Sequence, residues 1–292
     1  MSAKLALGTV QFGLNYGVSN AHGCVSQSEV LDILNTAKMG GIRVLDTAAL
    51  YGNSEEVLGR SGLSCFDVVT KTPRFAAKQI LSEHVNTLIE TFKQSCVKLQ
   101  QNTLHGLLVH HVDDILAPGG QQLWRAMLQL REAGLVRRIG ASVYESSQID
   151  ELLMRFNPDL IQLPINVLDQ RLLKGGHLEK LKERGVEVHA RSAFLQGLLL
   201  MNPPDTHAYF EPIRQLLERF KVAANDQGMT PLQASLAFVR DIAGIDQVVI
   251  GVTKSTELKQ CIEDFENTSN FSGEGLACDM PAYINPALWR IS

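Results

Sequence analysis

Short apolar runs rich in β-branched residues alternate with longer amphipathic segments along the chain. The runs are Leu5–Thr9, Ile42–Asp46, Phe66–Lys71, Gly106–His110, Val136–Ser142, Leu160–Leu163, Val186–Ser192 and Gln247–Gly251. Their length and bounding turn residues predict buried strands. Between them, apolar residues spaced by three or four predict helices over 26–39, 54–60, 82–99, 120–133, 146–156, 178–184, 212–227, 230–241 and 255–265. In the segment 82–99, Val85, Leu88, Ile89, Phe92, Cys96 and Leu99 form one stripe. Punctuation agrees with the periodicity. Ser26 with Glu29 has the form of a capping box, and Thr230 precedes Pro231 as cap before first helical residue. Gly40-Gly41, Gly134 and Gly185 supply helix stops.

Strict strand–helix alternation predicts a parallel sheet, and eight units fit a closed barrel better than two open sheets. The expected fold is therefore α/β, a single-domain (β/α)8 TIM barrel over 1–292. The barrel occupies about residues 5–265, and a tail over 266–292 crosses its surface. With 45% apolar residues the chain excludes extensive disorder, and a net charge of −4 argues against a nucleic-acid or anionic-membrane surface. The cysteines Cys24, Cys65, Cys96, Cys261 and Cys278 are odd in number and widely spaced, which speaks against a disulfide framework or structural zinc. The first residues lack the apolar core of a signal peptide, and no run is long enough to span a bilayer. A reduced, cytoplasmic protein is expected.

Barrels of this kind carry their chemistry at the carboxyl ends of the strands. Polar residues there are Asp46, Lys71, His110, Ser142, Gln162, Arg191 and Ser192, and Tyr51 follows Asp46 by five residues. Asp46, Tyr51, Lys71 and His110 make a coherent proton-transfer set. A neighbouring ammonium lowers a phenol's pKa from about 10, a carboxylate holds the ammonium charged, and an imidazole orients a carbonyl oxygen. That set suits hydride addition to a carbonyl, which creates an alkoxide in need of a proton. Taken singly each residue has another reading. Asp46 could cap a loop helix, Tyr51 pack on the rim, Lys71 end a strand in solvent, and His110 serve as hydrogen-bonded structure. The tandem His110-His111 does not suit a metal site, because adjacent strand residues face opposite ways.

The stretch Leu45–Glu56 resembles the Asp-Thr-Ala…Tyr-Gly…Glu signature of the aldo-keto reductase superfamily. Further landmarks recur in order: Leu7–Thr9, Val69–Lys71, Leu107–His110, Arg138–Ser142, Ile161–Gln162 and Val249–Gly251. The resemblance implies a monomeric NAD(P)-dependent oxidoreductase acting on a small carbonyl compound, with NADPH as the preferred cofactor and NADH as the second option. It implies Asp46, Tyr51, Lys71 and His110 as the catalytic tetrad, with His111 and Val10 on the substrate side beside Phe12, Tyr16 and Trp289. It also implies an extended dinucleotide across the barrel mouth. No Gly-x-Gly-x-x-Gly follows a strand, so a Rossmann site is not expected.

On this resemblance Ser142 and Gln162 would bind the nicotinamide carboxamide, with Thr9, Arg191 and Ser192 close by. Gly251, Thr253, Lys254 and Ser255 would hold the adenosine end, Lys254 and Ser255 taking a 2′-phosphate. The chain departs from the family at Val143, where asparagine is common. It departs again at Arg191, where many members stack a tyrosine on the nicotinamide; a rim salt bridge is the other reading of Arg191. Glu257 and Cys261 stand where relatives often have arginine and asparagine, and Glu257 would repel a phosphate. The short loop 111–118 and short tail leave an open site that suits small aldehydes, ketones or sugars. Two other functions remain open: a cofactor-binding regulatory subunit like the potassium-channel β-subunits, and a lyase or aldolase forming a Schiff base on Lys71.

Overall fold

A computed structural model describes residues 3–20 and 22–291; the extreme ends of the 1–292 unit fall outside the described residues. The strands are β1 (Lys4–Gly8), β2 (Val44–Asp46), β3 (Asp67–Lys71), β4 (Leu104–Val109), β5 (Val136–Ser142), β6 (Leu160–Pro164), β7 (Glu187–Arg191) and β8 (Gln247–Gly251). They close in sequence order into one barrel, and every pairing is parallel. Closure brings β1 beside β8, so the first long helix (Gln27–Met39) packs against the last (Ser255–Asn267).

Inside the barrel, Ala6, Val44, Val69, Leu108, Leu160 and Val249 form their own small cluster. The larger core lies between the strands and the surrounding helices. Gly140 has to be a glycine, because a Cβ there would lie 1.6 Å from the Leu160 carbonyl oxygen. Small residues at such points let neighbouring strands pack at barrel curvature.

Several boundaries depart from the sequence pattern for visible reasons. β2 starts at Val44 because the Ile42 amide still donates to Ala37 O, closing the helix before it through left-handed Gly41. β7 stops at Arg191 because Ser192 turns into the left-handed region, φ +64°. Pro212 lies in a 3-10 turn (Ala208–Ile213), and the α-helix begins only at Arg214. The Thr230 capping box forms in full, with Thr230 Oγ1 accepting from Gln233 N and Gln233 Oε1 accepting from Thr230 N. The box at Ser26 forms only by half. Ser26 Oγ accepts from Glu29 N, but the Glu29 carboxylate turns away to Ser255.

The tail holds a helical turn (Pro281–Ile284) and a 3-10 turn (Pro286–Leu288). Phe271, Leu276, Cys278 and Ile284 bury against Leu198, Phe210 and Phe220, forming a second core beside the barrel mouth. No helix among the described residues is long and apolar enough to cross a membrane.

Candidate active site

Asp46 ends β2, Lys71 ends β3, His110 follows β4 directly and Tyr51 sits in the turn after β2. Parallel strands place these ends around one mouth, where a cavity of about 820 Å³ opens. Asp46, Tyr51, Lys71, His110, Ser142, Gln162, Arg191 and Ser192 line one part of it. Thr253, Thr256, Glu257, Gln260 and Cys261 line another, at the start of the last helix.

Lys71 organises the proton-transfer set. Its Nζ donates to Asp46 Oδ1 at 2.8 Å and Oδ2 at 2.7 Å, to Thr47 O at 3.0 Å and to the Tyr51 hydroxyl at 3.4 Å. The Lys71 and Asp46 side chains are only 1% and 6% exposed. A pair of charges this deep persists only when each is matched and hydrogen-bonded. Gln162 Nε2 completes the match, donating to Asp46 Oδ1 at 2.7 Å.

The sequence-based expectation for the phenol is reversed. Burial pushes the Tyr51 pKa above the ordinary tyrosine value, and the Asp46 charge adds to that; Arg191 opposes it. The phenol therefore keeps its proton through neutral pH, as a proton donor must. Burial likewise lowers the Lys71 pKa, against which Asp46 holds the ammonium charged. His110 is pushed down to about 2, first by burial and then by the charges of Lys71, His111, Arg191 and Arg74, so it is a neutral imidazole. Its ring stands edge-on to Tyr51, with centroids 5.7 Å apart.

The remaining expected residues fall in different places. Thr9 is fully buried, and its hydroxyl donates to the Asp46 carbonyl oxygen at 3.0 Å, so it ties β1 to β2 although its surface borders the cavity. Val10 and Tyr16 line the cavity. Phe12 is core, and Trp289 packs edge-on against Phe210 with its Nε1 donating to Tyr283 O. His111 stacks on His110 at 4.9 Å and is not a lining residue. Arg191 forms no rim salt bridge among the described residues. Its guanidinium lies 4.2 Å over the Tyr144 ring and donates to Val143 O, which keeps a permanent cation in the mouth.

At the last helix, the amides expected to hold a phosphate are engaged. Thr253 N and Lys254 N donate to Glu257 Oε2, and Thr253 Oγ1 contacts the same carboxylate. Ser255 N donates to Glu29 Oε1 at 2.6 Å. The Lys254 side chain is exposed, and neither Lys254 nor Ser255 lines the cavity, whereas Gly251 does. Sequence reasoning missed Glu29, Tyr144, Gln260 and Gln11. Only Glu29 left a signal, as a first-turn carboxylate, and that signal pointed to a local cap.

An extended dinucleotide fits this cavity. Its volume lies within the range of cofactor clefts. Gln162, whose Nε2 is committed to Asp46, and Ser142, its register partner on β5, put hydrogen-bonding groups in the lining that a carboxamide would need.

The family model described as Aldo/keto reductase family matches residues 4–274. An aldo-keto reductase of Mycolicibacterium vanbaalenii is 27% identical over 264 residues, covering 85% of this chain and 82% of that protein. A glyoxal reductase of Bacillus subtilis is 28% identical over 185 residues, and the match spans 60% of this chain and 62% of that protein. The holo form of aldo-keto reductase AKR11C1 from Bacillus halodurans has the same fold, with a TM-score of 0.74 at 20% identity over 93% of this chain and 89% of that one.

Proposed function

The chain belongs to the aldo/keto reductase family and is an oxidoreductase, and from that premise we propose that it reduces the carbonyl group of a small aldehyde, ketone or sugar, with Tyr51 giving the proton. When bound, NADPH or NADH supplies the hydride. As the new C–H bond forms, the carbonyl π pair moves to oxygen, and the Tyr51 proton forms the alcohol O–H. Tyr51 regains its proton from solvent.

One observation carries this reading. Lys71 donates to the Tyr51 oxygen at 3.4 Å, which directs the phenol's own proton elsewhere, and the ammonium stands ready to hold the phenolate left behind. Asp46 keeps that ammonium charged in a place where burial works against it. His110, neutral and set against the Tyr51 ring, orients the carbonyl oxygen. The same contacts speak against a Schiff base on Lys71, whose N–H groups face Asp46, Thr47 O and Tyr51. The barrel and the tail act as one catalytic unit, because Pro286 and Ala287 of the tail line the cavity.

The test is loss of reduced-nicotinamide absorbance with a panel of small carbonyl compounds, using wild type and Tyr51→Phe. The wild type should turn over, and Tyr51→Phe should lose roughly two to four orders of magnitude while still binding cofactor. Activity of Tyr51→Phe within tenfold of wild type would remove Tyr51 from the role. A wild type that binds dinucleotide and reduces no carbonyl compound would favour a regulatory subunit.

A further inference from the structure

The cavity lining includes the strand ends around Tyr51 and, as a second arm, the start of the last helix, and the chemistry assigns them. Hydride and proton must reach one carbonyl group, so the nicotinamide end of the cofactor belongs beside Tyr51. The adenosine end then falls in the other arm. Its lining residues there are Val252, Thr253, Thr256, Glu257, Gln260 and Cys261, none of them basic and one a carboxylate.

The start of the last helix borders this arm. Backbone N–H groups and the positive helix end would ordinarily make such a place receptive to an anion. Here carboxylates from the chain itself have taken the amides. Glu257 reaches back to Thr253 N at 2.7 Å and Lys254 N at 3.2 Å. Glu29 crosses from the first long helix to Ser255 N at 2.6 Å. Lys254 is the one cation of this turn, exposed and outweighed by the two carboxylates around it. Carboxylates accept hydrogen bonds from ribose hydroxyls, as in dinucleotide sites that recognise a free 2′-OH, and they repel a phosphate dianion.

We propose that the protein selects NADH over NADPH, because the Glu257 carboxylate lines the adenosine arm and Glu257 and Glu29 together hold the amides at the start of the last helix beside it. This rests on the reductase reading above and narrows it to the unphosphorylated cofactor. Two glutamates on different helices share the task; Glu257 is legible in its local sequence, whereas Glu29 joins it only through barrel closure.

The experiment is a fluorescence titration of the full chain with NADH and with NADPH, for wild type, Glu29→Gln, Glu257→Gln and the double variant. Wild type should bind NADH at least about tenfold more tightly, since like charges brought together cost a kilocalorie or more. The double variant should tighten NADPH by about tenfold relative to NADH, closing the gap between the two cofactors. In wild type alone, added salt should narrow the gap between the cofactors, because screening weakens exposed charge repulsion, and this readout needs no substitution. Wild type binding NADPH as tightly as NADH overturns the selection. So does a gap that neither salt nor the double variant alters. Binding of neither cofactor overturns the reductase reading instead.

Discussion

Lys71 Nζ lies 2.7 Å from Asp46 Oδ2, with almost no solvent reaching either side chain. The two charges stand on adjacent strands, two residues out of register, since Asp46 pairs with Val69. Lys71 therefore arches back over the end of β2, which also brings it to Tyr51.

Removing one partner leaves the other charge buried and unpaired. Lys71→Met should cost about 3–5 kcal/mol of stability, and replacing both, as Asp46→Leu with Lys71→Met, should recover most of that loss. Neither variant should reduce a carbonyl compound. Denaturant unfolding with a parallel activity assay separates the two effects. If Lys71→Met unfolds at the wild-type midpoint, the pair contributes nothing to the fold.

The shifted groups set a pH dependence. Tyr51 is pushed up, so reduction should stay flat through neutral pH and fall only above the ordinary tyrosine range near 10. Alcohol oxidation, which needs the phenolate, should rise with pH over the same range. His110 has its folded pKa lowered from 6.5 to about 2. Between those values the unfolded chain binds the proton that the folded one refuses, so stability is present above pH 6.5 and drains away as pH falls. Unfolding midpoints at pH 7 and pH 4.5 should differ less for His110→Asn than for wild type. An equal loss in both proteins would mean that His110 is not the group responsible.

Arg191 holds a fixed positive charge in the cavity that Tyr51 also lines, propped over Tyr144, and the proposed reduction puts the nicotinamide beside it. A cation there disfavours the oxidised, positively charged nicotinamide relative to the reduced, neutral one. Arg191→Gln should therefore narrow the preference for reduced over oxidised cofactor by about tenfold, the size of one modest charge–charge contact. Titrating both redox forms into wild type and variant gives the ratio, and an unchanged ratio would place the guanidinium's influence elsewhere.

The chain's pattern alone determined the architecture and the strand ends that carry chemistry. The helix at Ser82–Leu99, β5 at Val136–Ser142 and β8 at Gln247–Gly251 lie where the periodicity put them, because amphipathic spacing and strand length are local properties. Asp46, Lys71 and His110 were legible because a polar residue closing an apolar strand of a parallel barrel has one place to go. Partner choice was not legible. Glu29 has the sequence setting of a local cap, yet its carboxylate binds Ser255, 226 residues away, because barrel closure sets the first long helix against the last. Thr9 gives its hydroxyl to the Asp46 carbonyl, while Phe12 faces the core and Trp289 the second cluster. The direction of the Tyr51 shift also belonged to the tertiary structure. Adjacency to an ammonium was foreseeable, but burial and the Asp46 charge raise the phenol's pKa, and how deeply a loop tyrosine is buried depends on what the rest of the chain places around it.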